Sequence, residues 1–273
     1  MSAAPGRRKQ ARAEGPPVSE PDRNALVVGG SGLVGGHLIQ ALARERWNIV
    51  STQRRAPLRQ PATHRILALD LLDASSVGPV LKEAGEVSHL FFLARTFQDG
   101  YRIDRDANVR ILANVLDAVQ DLPSLRHIQL IHGLKWYGST LGPFATPARE
   151  SDPKPPVAHF YYDQHALIAD RSRERTWHWS TLRPHCVSGV ARRSPSNLML
   201  GMAVYASLMK ENALPLAFPG SAAAFEARLT YSSADLLARA MLWAATEPCA
   251  SDEDFNVANG DVFSWRQVWP GFA

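Results

Sequence analysis

Cysteine is nearly missing from this chain of 273 residues: there are two, Cys186 and Cys249, at a spacing that fits neither a metal site nor a redox pair. That excludes a disulfide-stapled scaffold and a cysteine-based zinc module. Both thiols are expected to be small buried apolar residues, and a reducing cytoplasm is the expected compartment. No apolar run reaches the roughly 20 residues that a bilayer demands, so no membrane partner is expected. The segment through Arg23 lacks the apolar stretch of a secretory signal. It mixes Glu14, Glu20 and Asp22 with Arg7, Arg8, Lys9, Arg12 and Arg23, which disfavours a mitochondrial transit peptide, and residues 1–24 read as a disordered tail. The tail holds half of the formal net charge of +4. The rest is therefore near neutral, which argues against nucleic acid as a partner.

With 45% hydrophobic and 21% charged residues the composition is that of an ordinary globular protein. Past the tail there is no repeat or low-complexity stretch. Short apolar runs alternate with segments of helical period, the pattern of a parallel sheet covered by helices. Strands are expected at Ala25–Gly29, Asn48–Gln53, Arg65–Leu69, His89–Leu93, Arg126–Ile131 and Trp177–Arg183. Helices are expected at Leu33–Arg46, between Ile103 and Asp121, and at Phe160–Arg171. In the second of these, Leu112, Val115, Leu116 and Val119 share one face. Beyond Pro184 the alternation weakens into helices at Leu198–Lys210 and Ala234–Ala245. The expected fold is α/β: a Rossmann-like doubly wound parallel sheet over residues 25–185, with a small, mainly helical substrate-side lobe over residues 186–273 interwoven with it.

The strongest local signal is Val27-Val28-Gly29-Gly30-Ser31-Gly32-Leu33-Val34-Gly35, a strand running through a glycine turn into a helix. In a dinucleotide-binding turn Gly29 permits the sharp bend, Gly32 lets the backbone approach a pyrophosphate, and Gly35 allows close helix–strand packing. The main-chain N–H groups of Ser31, Gly32, Leu33, Val34 and Gly35 would face the phosphates at the positive end of the helix dipole. At the end of the second strand NAD-selective folds carry an acid for the ribose hydroxyl. Here stand Arg54 and Arg55, whose guanidinium groups suit the 2′-phosphate of NADP(H). Asp70 and Leu71 follow the third strand, where such folds approach the adenine ring.

A second cluster, Gly133-Leu134-Lys135-Trp136-Tyr137-Gly138, follows the fifth strand, and Phe160-Tyr161-Tyr162-Asp163-Gln164 opens the next helix. Short-chain dehydrogenases pair a tyrosine with a lysine four residues later. Here that position holds His165 or Ala166, so the usual lysine is absent; Lys135 could provide the ammonium from a different loop if that loop folds over the nicotinamide.

These segments, with Leu182-Arg183-Pro184, Ala203-Val204-Tyr205-Ala206, Phe218-Pro219-Gly220, Leu242-Trp243-Ala244-Ala245 and Phe255-Asn256-Val257-Ala258-Asn259-Gly260-Asp261-Val262-Phe263-Ser264-Trp265, resemble the progesterone 5β-reductase/iridoid synthase-like family of atypical extended short-chain dehydrogenases. The resemblance implies a Rossmann fold, NADPH, a homodimer and 1,4-reduction of the activated C=C bond of a small enone or enal. It also implies that Lys135 and Tyr162 are the catalytic pair. Three departures stand out: His132 in place of a small hydroxyl residue, His165 and Ala166 in place of an acidic pair, and an end at Ala273 inside a helix that relatives continue, which suggests truncation. Carbonyl reduction by the same pair, or a non-catalytic NADP(H) sensor, are the alternatives.

The remaining candidates have plainer readings. His132 is read as an acid–base group or, more simply, as a satisfied histidine near the sheet, and His185 as structural. Trp177, Trp179, Trp243, Trp265 and Trp269 are read as core or lid packing, and Met199, Met202 and Met209 as core packing ahead of a pocket lining. From Arg54 and Arg55, NADPH is expected to bind at least about tenfold more tightly than NADH. Equal dissociation constants in a fluorescence titration would refute that.

Overall fold

Residues 23–98, 102–191 and 197–272 are described in a computed structural model of the chain. In order they form β1 (Asn24–Val28), α1 (Leu33–Arg44), β2 (Asn48–Gln53), β3 (Arg65–Ala68), α2 (Ala74–Lys82), β4 (His89–Phe92), α3 (Arg105–Val119), β5 (His127–Ile131), α4 (Phe160–Arg171) and β6 (His178–Pro184). Then come β7 (Cys186–Ser188), α5 (Leu198–Glu211), α6 (Ala222–Glu226), β8 (Arg228–Leu229), β9 (Tyr231–Ser233), α7 (Ala234–Thr246), β10 (Glu253–Val257), β11 (Phe263–Ser264) and α8 (Trp265–Val268). The expected tail lies outside the described residues except for its last two, of which Asn24 already pairs in β1.

The main sheet is parallel in the order β10-β6-β5-β4-β1-β2-β3. The doubly wound fold read from the sequence is the fold observed, and the strand order reverses between β1 and β4, where such sheets open a crevice at their C-terminal edge. Both faces are buried, and β1 shows how. Leu26 and Val28 point to a core shared with α2 and α3, while Ala25 and Val27 point to one shared with α1 and α7. The runs are therefore continuously apolar rather than alternating.

Some boundaries differ from the sequence reading for local reasons. β1 ends at Val28 because Gly29 takes φ +93°, and α1 ends before Arg46, at φ +59°. Helix α2 was not expected: it contains Gly78 and Pro79 and buries only Val77 and Leu81, so it has hardly any apolar period. Beyond Pro184 the expectation of helices misses β10, which pairs with Ser180–Pro184 of β6 although its sequence is Glu-Asp-Phe-Asn-Val. It also misses the two-stranded pairs β7–β9 and β8–β11.

Several packing expectations need correction as well. Cys249 is exposed and Cys186 half-buried, so neither is a core residue. Trp177, Trp179 and Trp269 are buried, but Trp243 is exposed; of the three methionines only Met202 is buried, and Met199 is exposed. No helix among the described residues is long and apolar enough to cross a membrane.

A buried ion pair fastens β6 to β10. The Arg183 side chain is wholly enclosed, with Nη2 2.7 Å from Asp254, and its guanidinium lies 3.8 Å from the centre of the Trp136 ring. Its Nη1 donates to the Tyr137 hydroxyl at 3.2 Å and the Glu150 carbonyl at 3.3 Å, which ties the loop after β5 to the sheet. Asp254 also accepts from Thr181 and faces His165 Nε2 at 3.2 Å. Burial alone would raise the Asp254 pKa. The hydrogen bonds and charges of His165, Thr181 and Arg183 outweigh that and bring it down to about 2.

Because the folded pKa is depressed, this contribution to stability is complete above about pH 4 and is lost as the pH falls towards about 2. Asp254→Ala leaves a buried guanidinium without its counter-charge. It is expected to cost about 3–5 kcal/mol in urea unfolding and to flatten the acid limb of the stability profile. A cost below about 1 kcal/mol would mean that Arg183 does not depend on Asp254.

Candidate functional site

The glycine turn begins where β1 ends. Gly29 adopts a left-handed conformation beside the loop after β4, and an added Cβ there would lie 2.9 Å from the Ala94 amide nitrogen. At Gly35 a Cβ would meet the Gly29 carbonyl oxygen at 2.6 Å, so this glycine lets α1 seat on the turn. Gly30, which the sequence reading passed over, is also confined: its Cβ would lie 2.8 Å from that of Ser51 on β2. Gly32 differs, since an added Cβ would meet nothing closer than the Gly29 oxygen at 3.6 Å and would project from an exposed turn.

Gly32 is the N-cap of α1, no side chain caps it, and the first turn has no acid. The N–H groups of Leu33, Val34 and Gly35 begin this uncapped helix, and Ser31 stands exposed beside them. Such donors at a positive helix end await an anion. The residues present fit a dinucleotide pyrophosphate.

Arg54 and Arg55 are exposed just past β2, and the β1–β2 register pairs Val28 with Thr52, which puts them beside the glycine turn. The Gln53 side chain donates to the Arg55 carbonyl at 2.7 Å and shapes that corner. Asp70 makes a local turn, its carboxylate accepting from Leu72 N–H at 3.0 Å. Leu71 packs at the rim of the core, and its carbonyl accepts from Asn114 at 2.8 Å.

The loop after β4 is fastened by a buried amide. Asn108 on α3 accepts from Thr96 N–H at 3.0 Å and donates to the Thr96 carbonyl at 2.8 Å. Gln164 on α4, also buried, donates to the Asn108 carbonyl at 2.8 Å. The chain Thr96–Asn108–Gln164 therefore sets the loop against the helix that carries both tyrosines. Neither amide was singled out from sequence, where a polar residue on an apolar helical face gives no sign of its partner.

After β5 the chain turns through Gly133 into a 3₁₀ turn, Leu134–Tyr137, that carries Lys135. The register matches Phe92 of β4 with Leu130 of β5, so the loops that carry Arg95 and Gly133 leave neighbouring strands at the same edge of the sheet. Burial and the Arg95 charge both push the Lys135 ammonium below its ordinary value.

The two tyrosine hydroxyls face different neighbours. Tyr162, expected to be catalytic with Lys135, gives its hydroxyl hydrogen to the Trp136 carbonyl at 2.8 Å, and Lys154 lies 5.5 Å from its ring. Tyr161 is the residue whose hydroxyl reaches Gly133: a Cβ added there would lie 3.6 Å from it. Burial raises the Tyr161 pKa, and the nearby Arg95 guanidinium partly offsets this. The phenol therefore stays protonated near neutrality.

His159 caps α4 by accepting from Tyr161 N–H at 3.2 Å. Its pKa falls to about 4 through burial and the Lys135 charge, so it is a neutral cap. His132 is buried with neither ring nitrogen hydrogen-bonded, its ring 4.7 Å from that of Tyr161 and 5.5 Å from that of Trp136. It is not the satisfied histidine expected, and burial holds its pKa well below the ordinary value. His185 shares a hydrogen bond with the Thr230 hydroxyl at 3.2 Å, a structural role.

The described site is thus a crevice at the C-terminal ends of β1, β4 and β5, with a glycine cradle on one side and Arg95, Lys135 and Tyr161 on the other. A surface hollow of about 450 Å³ lined by residues from Trp47 to Arg65 lies instead at the N-terminal ends of β2 and β3.

Comparison with known proteins agrees with this architecture. The model of the PRISE-like Rossmann-fold domain matches residues 73–273. The 3-oxo-Delta(4,5)-steroid 5-beta-reductase of Arabidopsis thaliana is 32% identical over 98% of this chain and 73% of its own length. An (S)-8-oxocitronellyl enol synthase of Nepeta racemosa is 32% identical over 90% of this chain and 66% of its own length. The chain therefore spans about two thirds to three quarters of these relatives. Among solved structures, the UDP-glucose 4-epimerase of Thermotoga maritima superposes with a TM-score of 0.74 at 17% identity, over 91% of this chain and 81% of its own, a likeness of fold. On the family match and the relatives' identity, the chain belongs to the family of PRISE-like Rossmann-fold domains.

Proposed function

We propose that this oxidoreductase reduces the C=C bond of a small α,β-unsaturated carbonyl compound with NADPH. The observation that carries the reading is the Tyr161 hydroxyl at Gly133, with Lys135 in the 3₁₀ turn that begins at the next residue, beside a glycine turn with uncapped helix donors. The relatives' names, a steroid reductase and an enol synthase, point to the same carbonyl chemistry.

Bound NADPH would supply the hydride to the β-carbon. The chain's own residues manage the charge that then grows on the carbonyl oxygen. Tyr161, kept protonated by burial, donates a hydrogen bond to that oxygen, and the resulting enolate takes a proton from water at its α-carbon to give the saturated carbonyl compound. Lys135 adds a positive charge in a partly dehydrated setting, where such stabilisation is worth far more than in water. Arg54 and Arg55 would hold the 2′-phosphate, Ser31 to Gly35 the pyrophosphate, and Asp70 with Leu71 would flank the adenine. Tyr162 is assigned a different task from the one its sequence position suggested: through the Trp136 carbonyl it holds the 3₁₀ turn that presents Lys135.

Charge on the oxygen grows only in the transition state, so losing one donor should lower kcat far more than it weakens cofactor binding. Tyr161→Phe and Lys135→Ala are each expected to reduce enone turnover about a hundredfold or more. Tyr162→Phe should lower thermal stability and leave turnover within a few-fold. A severe kcat loss confined to Tyr162→Phe would return the role to Tyr162, and normal turnover in all three variants would end this mechanism.

A further inference from the structure

The proposed site holds one more positive charge than enone reduction requires. Arg95 is the third residue past β4 and is exposed next to Ala94, whose amide nitrogen lies against the glycine turn, and its charge acts on both the Tyr161 hydroxyl and Lys135. It does not hang loose. The next residue, Thr96, is gripped on both backbone groups by Asn108, and the guanidinium lies 4.6 Å from the centre of the Phe97 ring.

Two cations side by side repel each other unless an anion joins them. Among the described residues, two acids of α3 and α4 are already engaged. Asp163 is held in a two-pronged pair by Arg105 at 2.7 and 2.9 Å, and Asp104 caps α3 through Ala107 N–H at 2.9 Å. Among the described residues no carboxylate pairs with Arg95 or Lys135. The cofactor phosphates have donors of their own at the start of α1 and just past β2.

We infer that the substrate carries a carboxylate, which seats on the fork of Arg95 while the substrate carbonyl oxygen meets Tyr161 and Lys135. The inference rests on the enone reading of the same site. A planar guanidinium matches a carboxylate with two parallel hydrogen bonds, and Thr96 fixes its base, so little ordering is needed on binding.

The test uses benzoylacrylate and its methyl ester, enones of nearly equal size that differ in the charge. Their binding to the full chain is measured by calorimetry in the presence of NADP⁺. The acid should bind at least tenfold more tightly than the ester, the gap should shrink with added salt, and it should collapse in Arg95→Leu and persist in part in Arg95→Lys. Equal affinities in the wild type would overturn the inference. So would a gap untouched by Arg95→Leu, or a loss of NADPH affinity in that variant with the gap intact, which would make Arg95 a cofactor ligand. NADPH oxidation with the ester reports on the enone reading separately: turnover of the ester with equal affinities would leave that reading standing and remove this one.

Discussion

Asn108 is fully buried on α3, and its side-chain amide holds both backbone groups of Thr96 and the Asp104 carbonyl, while its own main-chain carbonyl receives Gln164 from α4. Few arrangements join three pieces of chain so closely: the loop after β4, the helix behind it and the helix that carries the tyrosines. An amide buried without partners would cost several kcal/mol, so the three elements hold together or the packing fails. Arg95 and Tyr161 inherit their relative position from this clamp. The parallel register of β4 and β5 then brings Gly133 and Lys135 to the same edge.

A second constraint works from below. Arg183 and Asp254 lock β6 to β10, and the same guanidinium supports Trp136 and Tyr137. The 3₁₀ turn that offers Lys135 is thus braced by a buried charge beneath and by Tyr162 alongside. The rings of His132, His159 and Trp136 pack around the tyrosines. Burial keeps both His132 and His159 uncharged at neutral pH, and the positive charge of the crevice is left to Lys135 and Arg95.

Much of the fold was legible because its signals are local. A glycine turn between an apolar strand and a helix, and apolar runs at the spacing of a parallel sheet, announce themselves within a few residues, and β2 and α4 have the bounds read from sequence. What escaped depends on distant partners. β10 is polar because it is the edge strand, and it counts as a strand only through β6. Helix α2 has too few apolar positions to show a period. In the site, Lys135 and the glycine turn stood out by type and place. The choice between adjacent tyrosines did not: neighbours on a helix point about 100° apart, and only the packing of α4 against α3 and β6 shows which one faces Gly133. Arg95 carried no motif and acquires meaning only from its neighbours across the sheet.

The central claim is that hydride arrives at carbon while Tyr161 and Lys135 hold the oxygen, and the position of the transferred hydrogen tests it most directly. NADPH carrying deuterium at its transferable hydrogen, incubated with the chain and cyclohexenone, should give the saturated ketone with deuterium on the β-carbon, as read by NMR. Deuterium on the carbinol carbon of the allylic alcohol would mean that the site reduces the carbonyl itself, and would contradict the account.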